Sequence, residues 1–284
     1  MKKAIIGLAA AAICTASALS LTACSDNKIY VNTNAQFAPF EYFDDNLEIK
    51  GVDVDIMNLV GEKMGKQVVF THTDFDVIID NVASGKLYDC GAAGITITDA
   101  RKEKVDFSNP YFTSVQYAIF PASKEVTTYE DGDVTYVLWS ELANKKVGVQ
   151  RDTTGDIYVN LEIEGEDDYT GQLEGTGTVC ISYDSAQLAV DAMGANQTDA
   201  VVVDKLPAEY IVSKNNGYVC YALYYPASAD EEATADFPTE EQYAICVTKG
   251  NKALLDAINE VLAELGEEGI NALVAKHLGL DSGE

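Results

Sequence analysis

Short apolar runs alternate along this chain with stretches whose apolar residues recur every three or four positions. Residues 29–34, IYVNTN, predict a strand, and residues 51–66 predict a helix because their apolar side chains recur at helical spacing. The alternation continues with strands at residues 67–73 and 87–94 and, between them, a helix that Asp74 caps and whose apolar face holds Val77, Ile78 and Val82. This order predicts an α/β fold with a mostly parallel sheet and helices on both faces.

The same alternation starts again in the second half of the chain. Strands are predicted at residues 146–150, 179–184 and 198–204, and a helix that contains Leu188 and Met193 lies between the last two. We therefore expect two similar α/β lobes. A chain of 284 residues with 47% hydrophobic content is long enough to bury a core in each.

Two further apolar segments lie where the chain would pass from one lobe to the other. Residues 115–120, VQYAIF, and residues 243–247, YAICV, are interpreted as two antiparallel crossings. The second crossing would return the C-terminal amphipathic helix to the first lobe. The predicted division is residues 29–114 plus 243–284 for the first lobe and residues 115–242 for the second.

The N-terminal residues have the pattern of an export signal. Lys2 and Lys3 precede a 17-residue apolar stretch that is shorter than a comfortable membrane span. The following LTAC resembles a bacterial lipobox, in which Cys24 is lipidated and becomes the mature N-terminus. We expect residues 1–23 to be a signal peptide and residues 24–28 a lipid-anchored linker at the outer face of a membrane. An ordinary signal peptide with an incidental cysteine is the alternative.

Charge and cysteine content narrow the function further. The net charge is −27 and the isoelectric point is about 4.2, so nucleic acid and anionic lipid surfaces would repel the protein. The cysteines of the mature fold each lie in an apolar run, which favours buried free thiols over disulfides. No two cysteines are close in sequence, and the histidines are His72 and His277 alone. We expect no metal site and no cofactor.

Polar side chains follow the predicted parallel strands at their carboxyl ends, where open α/β sheets bind ligands. They are Asn34, Thr96, Thr153, Thr154 and Asp204, and Gly94 lies at the end of the same strand as Thr96. Thr98 is a good helix N-cap, which places Arg101 in the first turn of a short helix. A cation there opposes the helix dipole unless an anion lies nearby, and a guanidinium can hold both oxygens of a carboxylate.

Arg101 and Asp204 together predict the chemistry of the ligand. Asp204 ends an apolar strand, VVVD, and a carboxylate there needs a cationic partner. One positive and one negative group on opposite lobes match a zwitterionic amino acid. The alternative is a salt bridge between Arg101 and Asp204 themselves, or another inter-lobe or capping pair that involves them.

Several stretches of the chain resemble a known family. They are TNAQFAPFEYFDD, GVDVDIMNLV, TDFDVIIDNVASGKLYD, AAGITITDARKEKVDFSNPYF, VGVQRDTTGD and TDAVVVD. They are similar to the bacterial extracellular solute-binding proteins, family 3, which deliver polar amino acids to ABC importers. The resemblance covers nearly the whole mature chain. It implies a two-lobed periplasmic-binding-protein type II fold, with two doubly wound sheets joined by a two-strand hinge that closes on the ligand.

The resemblance also implies roles for individual residues. Arg101 would bind the ligand carboxylate, with the Thr96 hydroxyl and with the backbone and side chain of Thr154. Asp204 and the Gly94 carbonyl would bind the ammonium group. Phe37 and Phe75 would form the walls of the side-chain pocket, and Asn34 would lie at its polar end, where an acidic residue is common in the family. The expected partners are a polar amino acid and the subunits of an ABC permease, and the protein is expected to be a monomer.

Two other functions are compatible with a related fold. Some dehydratases that act on cyclic, prephenate-like acids resemble this family, and they need a placed general acid. Glu41 is the best candidate for that general acid, and it is a weak one. We therefore expect a binding protein and not an enzyme. A sensor lobe of a membrane kinase is not expected either, because no spanning helix follows the fold before Glu284.

Overall fold

The structure is a computed structural model that describes residues 27–230 and 233–279. The predicted signal peptide, Cys24 and most of the predicted linker lie outside these residues. Among the helices described, none is long and apolar enough to cross a bilayer.

Helices and strands alternate through most of the described chain. The α-helices are α1 Val52–Met64, α2 Ile78–Ser84, α3 Asp99–Lys102, α4 Thr154–Glu164, α5 Ala186–Gly194, α6 Lys205–Lys214 and α7 Lys252–Leu278. The strands are β1 Lys28–Thr33, β2 Gln36–Phe37, β3 Glu41–Phe43, β4 Ile49–Lys50, β5 Gln67–His72, β6 Cys90–Gly91, β7 Asp106–Phe107, β8 Phe112–Pro121, β9 Tyr129–Asp131, β10 Val134–Leu138, β11 Lys146–Gln150, β12 Val179–Tyr183, β13 Ala200–Asp204, β14 Tyr218–Tyr225, β15 Phe237–Pro238, β16 Glu240–Tyr243 and β17 Cys246–Val247. Short 3-10 helices lie at Phe75–Val77, Trp139–Leu142 and Ala227–Ala229.

These strands form two main sheets and one small one. The first sheet has the order β5-β1-β6-β17-β7, with β1 parallel to β5 and β6 and with β17 antiparallel to its neighbours. The second has the order β12-β11-β13-β8-β14-β10-β9, in which β11 is parallel to β12 and β13. Strands β2, β3 and β4 form the small sheet. We call the unit around the first sheet the first lobe and the unit around the second sheet the second lobe.

Strands β8 and β16 run antiparallel between the two lobes. Residues 112–115 of β8 pair with β16, and the rest of β8 pairs with β13 and β14 inside the second sheet. The predicted crossing at residues 243–247 is divided, because Tyr243 ends β16 while Cys246 already belongs to the first sheet. The exact lobe boundaries given above stay a prediction.

Helix α1 is stabilised by burial of its apolar side chains. Helix α1 buries Val52, Ile56, Met57 and Val60, and it packs against α7. Helix α1 begins after Gly51, whose φ is 138° and where a Cβ would lie 2.0 Å from the Phe40 carbonyl oxygen. Only glycine fits this close approach, because both the backbone angle and the space exclude a side chain.

Three sequence expectations differ from the structure. Asp74 stands at the cap position, but its side chain accepts no capping hydrogen bond. The α-helix begins only at Ile78, after one 3-10 turn, so Val77 lies off the buried stripe and is 42% exposed. The strand predicted at residues 87–94 pairs only at Cys90–Gly91, because the chain turns at Gly94, where φ is 54°.

The cysteines of the described chain are free thiols. Cys90 and Cys246 are buried on the neighbouring strands β6 and β17, and Cys180 and Cys220 are half-buried. Burial raises the pKa of all four thiols, so each is a weak nucleophile and packs as a small apolar side chain.

Glu41 on β3 carries a carboxyl group that is inaccessible to solvent. Neither of its oxygens has a hydrogen-bond partner within the described residues. Burial raises the pKa of Glu41 well above its usual range, and the negative charges of Asp53 and Asp204 raise it further. A carboxyl whose pKa is raised by folding lowers stability as the pH rises, because the unfolded chain ionises first, near pH 4.3.

We therefore predict that Glu41→Gln raises the melting temperature, and raises it more at pH 8 than at pH 5, since an amide cannot ionise. Differential scanning calorimetry at the two pH values measures the effect. Glu48→Gln, an exposed position beside the same small sheet, is the control and should change the melting temperature little at either pH. A gain for Glu41→Gln that is equal at both pH values would contradict the proposed cause.

Candidate functional site

A cavity lies between the two lobes at the carboxyl ends of β1, β11 and β13. Seven of the eight predicted ligand-binding residues line it: Asn34, Phe37, Phe75, Gly94, Thr96, Thr154 and Asp204. Ala93, Gln150 and Thr153 complete the lining. The eighth predicted residue, Arg101, does not line this cavity but a second pocket, which contains Asp152 and shares Phe75 with the cavity.

Arg101 is placed by the cap that the sequence predicts. The Thr98 hydroxyl accepts a hydrogen bond from the Arg101 backbone N–H at 3.2 Å and begins α3. The guanidinium donates to the carbonyl oxygen of Thr96 at 2.8 Å and to that of Asp152, on the second lobe, at 2.7 Å. Its Cζ lies 5.4 Å from the ring centroid of Phe75. Backbone and aromatic contacts therefore hold a cation that is only 8% exposed.

Asp204 lies at the end of β13 and is also buried. Its Oδ1 accepts a hydrogen bond from the Tyr243 hydroxyl at 2.5 Å. Burial raises the pKa of Asp204 well above its usual range, and the negative charge of Glu241 raises it further. Within the described residues no salt bridge joins Asp204 to Arg101, so the alternative in which these two residues neutralise each other directly is wrong.

Gly94 requires the absence of a side chain. Its φ is 54°, and a Cβ would lie 2.7 Å from the ring of Phe37. The Gly94 N–H donates to Asp53 at 2.9 Å, and the same carboxyl group accepts from the Tyr111 hydroxyl at 2.5 Å. Burial raises the pKa of Asp53 to about 6, against the opposing effect of these two donors. This network fixes the turn that brings the chain from β6 to Thr96.

Asn34 bridges the lobes at the other end of the cavity. Its amide nitrogen donates to the Thr73 carbonyl at 2.8 Å, and its Oδ1 accepts from the Gln150 amide at 3.1 Å. The walls beside it are Phe37 and Phe75, as the resemblance implies. Phe40 is fully buried and packs edge-on against Tyr243, so it belongs to the core.

Thr153 and Thr154 lie at the start of α4, but their hydroxyl groups have different hydrogen-bond partners. The Thr153 hydroxyl accepts a hydrogen bond from the Asp156 N–H and donates one to the Gln150 carbonyl. The Thr154 hydroxyl points instead towards Thr96, at 3.2 Å, and towards the carboxylate of Glu241, at 2.5 Å. Thr153 therefore caps the helix, while Thr154 faces the site.

Glu241 is the residue of this site that sequence reasoning missed. It lies on β16, is 4% exposed, and is hydrogen-bonded to Thr96, Thr154 and Gln116. The stretch EEQY, residues 240–243, contains the available signal. Strand alternation places Glu241 on the same face as the aromatic Tyr243, and so towards the interior.

Comparisons with known proteins identify the family of the chain. The family model described as bacterial extracellular solute-binding proteins, family 3, matches residues 29–280. A probable histidine-binding protein of Neisseria gonorrhoeae is 30% identical over 98% of this chain and 97% of its own length. The L-arginine-binding protein of Pseudomonas aeruginosa is 29% identical over 89% of this chain and 88% of its own.

Among solved structures, an ancestral arginine-binding protein bound to arginine superposes with a TM-score of 0.72 at 29% identity. The match covers 89% of this chain and 99% of that one. The predicted two-lobed type II fold is thereby confirmed. With the family model matched over nearly the whole described chain, the protein belongs to the bacterial extracellular solute-binding proteins, family 3.

Proposed function

We propose that the protein captures a polar amino acid between its two lobes and delivers it to an ABC permease. One observation carries the proposal. A buried cation, Arg101, and a buried carboxyl group, Asp204, lie at one cleft between the lobes without forming a salt bridge to each other. A zwitterion supplies one partner for each. The relatives named as histidine-binding and arginine-binding proteins support this class of ligand.

Each end of the ligand has its own set of partners. Arg101 and the backbone N–H at the start of α4, beside Thr154, bind the carboxylate. Asp204 and the Gly94 carbonyl bind the ammonium group. The ligand side chain lies between Phe37 and Phe75, with Asn34 at its end. An amide at that position, already engaged by Gln150, supports a polar side chain and not one that needs a carboxylate partner.

Hinge closure about β8 and β16 is the motion that fits this arrangement. The first lobe, residues 29–114 plus 243–284, contributes Asn34 and Arg101, and the second, residues 115–242, contributes Gln150 and the Asp152 carbonyl. Hydrogen bonds between these groups join the lobes. A ligand that contacts both lobes stabilises the closed state by its difference in affinity for the closed and open forms.

The location follows from the N-terminal sequence. A lipobox-like LTAC ending at Cys24 supports removal of residues 1–23 and lipidation of Cys24. The protein would then be held at the extracellular face of the cell membrane, as a monomer beside its permease, with acyl chains as the anchor. The net charge of −27 supports anchoring through lipid and not through anionic headgroups.

Binding without catalysis is the function we infer. Glu41, the general acid considered for a dehydratase, does not line the cavity and is fully buried on β3. The named relatives are binding proteins. Incubation with prephenate should give no product, and turnover would contradict this part of the proposal.

We predict that Arg101→Ala weakens amino-acid binding by more than about 2 kcal/mol, roughly 30-fold, because a buried carboxylate loses its charged partner. Isothermal titration calorimetry with L-histidine and L-arginine measures the loss, after any co-purified ligand has been removed. Lys102→Ala is the matched control, since it removes the same charge at the next position from an exposed side chain paired with Asp99. Unchanged affinity in Arg101→Ala would contradict the assignment of the carboxylate pole.

A second prediction concerns pH. Only an ionised Asp204 attracts an ammonium group, and its pKa is raised in the empty site by burial and then by Glu241. Affinity should therefore increase as the pH rises through that pKa, and binding below it should release a proton. Calorimetry in phosphate and in Tris, whose heats of ionisation differ, measures the proton count. Asp204→Asn should bind the amino acid more weakly and release no proton. Proton uptake on binding by the unsubstituted protein would contradict the prediction.

A further inference from the structure

We infer that Glu241 is a positioning residue for the ammonium group of the ligand. Its carboxylate accepts hydrogen bonds from the Thr96 and Thr154 hydroxyls. Both threonine oxygens can then act only as hydrogen-bond acceptors towards the cleft. The inference deepens the proposed function and rests on it. It assigns a role in ligand recognition to a residue of the hinge strand β16.

The contacts of Glu241 leave its carboxylate fully engaged. Its Oε2 accepts from the Thr96 hydroxyl at 2.7 Å and from the Thr154 hydroxyl at 2.5 Å, and its Oε1 accepts from the Gln116 amide at 2.5 Å. Three donors that converge on two oxygens make the surroundings of an ionised carboxylate.

The number of protons then decides what the threonines can bind. A hydroxyl group has one proton and two lone pairs. The Thr96 and Thr154 hydroxyls both use that proton in a hydrogen bond to Glu241. Each therefore has only lone pairs left for the cavity that both residues line. Lone pairs accept from an ammonium group and repel a carboxylate. In this proposal the two hydroxyls therefore face the ammonium group, whereas the family resemblance implies that they help Arg101 to bind the ligand carboxylate.

The charged groups around Glu241 fit a cation at this point. Asp204 is hydrogen-bonded to Glu241, and the Tyr243 hydroxyl and Gln116 face the same pair. Glu241 is the charge that acts most strongly on Arg101, and it is also the charge that acts most strongly on the Tyr158 hydroxyl. Glu41 faces Asp204 from β3. The hydrogen bonds of Arg101 go to carbonyl oxygens and not to these carboxyl groups. The adjacent carboxyl groups of Asp204 and Glu241 therefore favour binding of one more positive charge.

The position of Glu241 also ties this role to closure of the lobes. Glu241 pairs with Ser114 of β8 in the hinge. Thr96 comes from the first lobe and Thr154 from the second, and their oxygens lie 3.2 Å apart beside the same carboxylate oxygen. The two acceptors therefore come together only when the lobes are closed around Glu241.

The experiment compares ligands with and without an ammonium group. The probes are L-histidine and L-arginine together with imidazolepropionate and guanidinovalerate, the same molecules without the α-amino group. Affinities are measured by calorimetric competition for the unsubstituted protein and for Glu241→Gln. The amide is isosteric but neutral, so its oxygen binds the two hydroxyl protons roughly half as strongly as the carboxylate does, and the negative charge beside the ammonium group is lost. Rotation of the Gln116 amide restores its own hydrogen bond, because the Gln116 Oε1 has no partner among the described residues.

We expect Glu241→Gln to weaken binding of the amino acids at least about tenfold and to change binding of the deaminated analogues by less than about twofold. The control is Glu240→Gln, which removes the same charge from the neighbouring, exposed position of β16 and should change neither. An equal loss for both kinds of probe in Glu241→Gln would mean a purely structural role and would overturn the inference.

Thr96→Val provides the second variant if Glu241→Gln does not fold. It should lower the preference for the amino acid over its deaminated analogue, and Thr96→Ser should restore that preference. A preference that is unchanged in Thr96→Val would also overturn the inference. If none of the common polar amino acids binds to the unsubstituted protein, the proposed function itself fails, and the role of Glu241 fails with it.

Discussion

Among the described residues the buried guanidinium of Arg101 forms no salt bridge with a carboxylate, and the organisation of the cleft depends on this. Its hydrogen bonds go to the carbonyl oxygens of Thr96 and Asp152, which orient the cation without removing its charge. A cation that is only 8% exposed attracts an anion more strongly than one in water does. The capped helix α3, the ring of Phe75 and the Asp152 carbonyl of the second lobe all hold this charge beside the cavity.

The opposite pole is built in a different way. Asp204, Glu241 and Tyr243 form a buried group in which carboxyl groups face each other and hydroxyl groups supply the protons. Such a network is costly when it is only partly satisfied, and the ammonium group of the proposed ligand would complete it. Glu241 and Tyr243 lie on β16, so in the proposed function part of the ammonium site would belong to a strand about which the lobes would move.

Much of the fold was predictable because periodicity records which face of an element is buried. The strand at Lys146–Gln150 was predicted to the residue, and α1 and β5 within two or three residues. Predictions failed where local geometry departs from regular structure. The 3-10 turn before α2 moved Val77 to the surface, and the positive φ of Gly94 shortened β6. Neither feature has a signal in the spacing of apolar residues.

The sequence by itself determined the alternation of strands and helices, the family, and the two opposite charges at Arg101 and Asp204. Only the tertiary structure decided which groups those charges meet. Arg101 contacts a carbonyl 51 residues away, and Glu241 joins Thr96 across 145 residues and Thr154 across 87. Contacts at such separations depend on how the two lobes and the hinge strand are aligned in space. A pattern along the chain reports burial, and it does not report which distant hydroxyl group lies beside a given carboxylate.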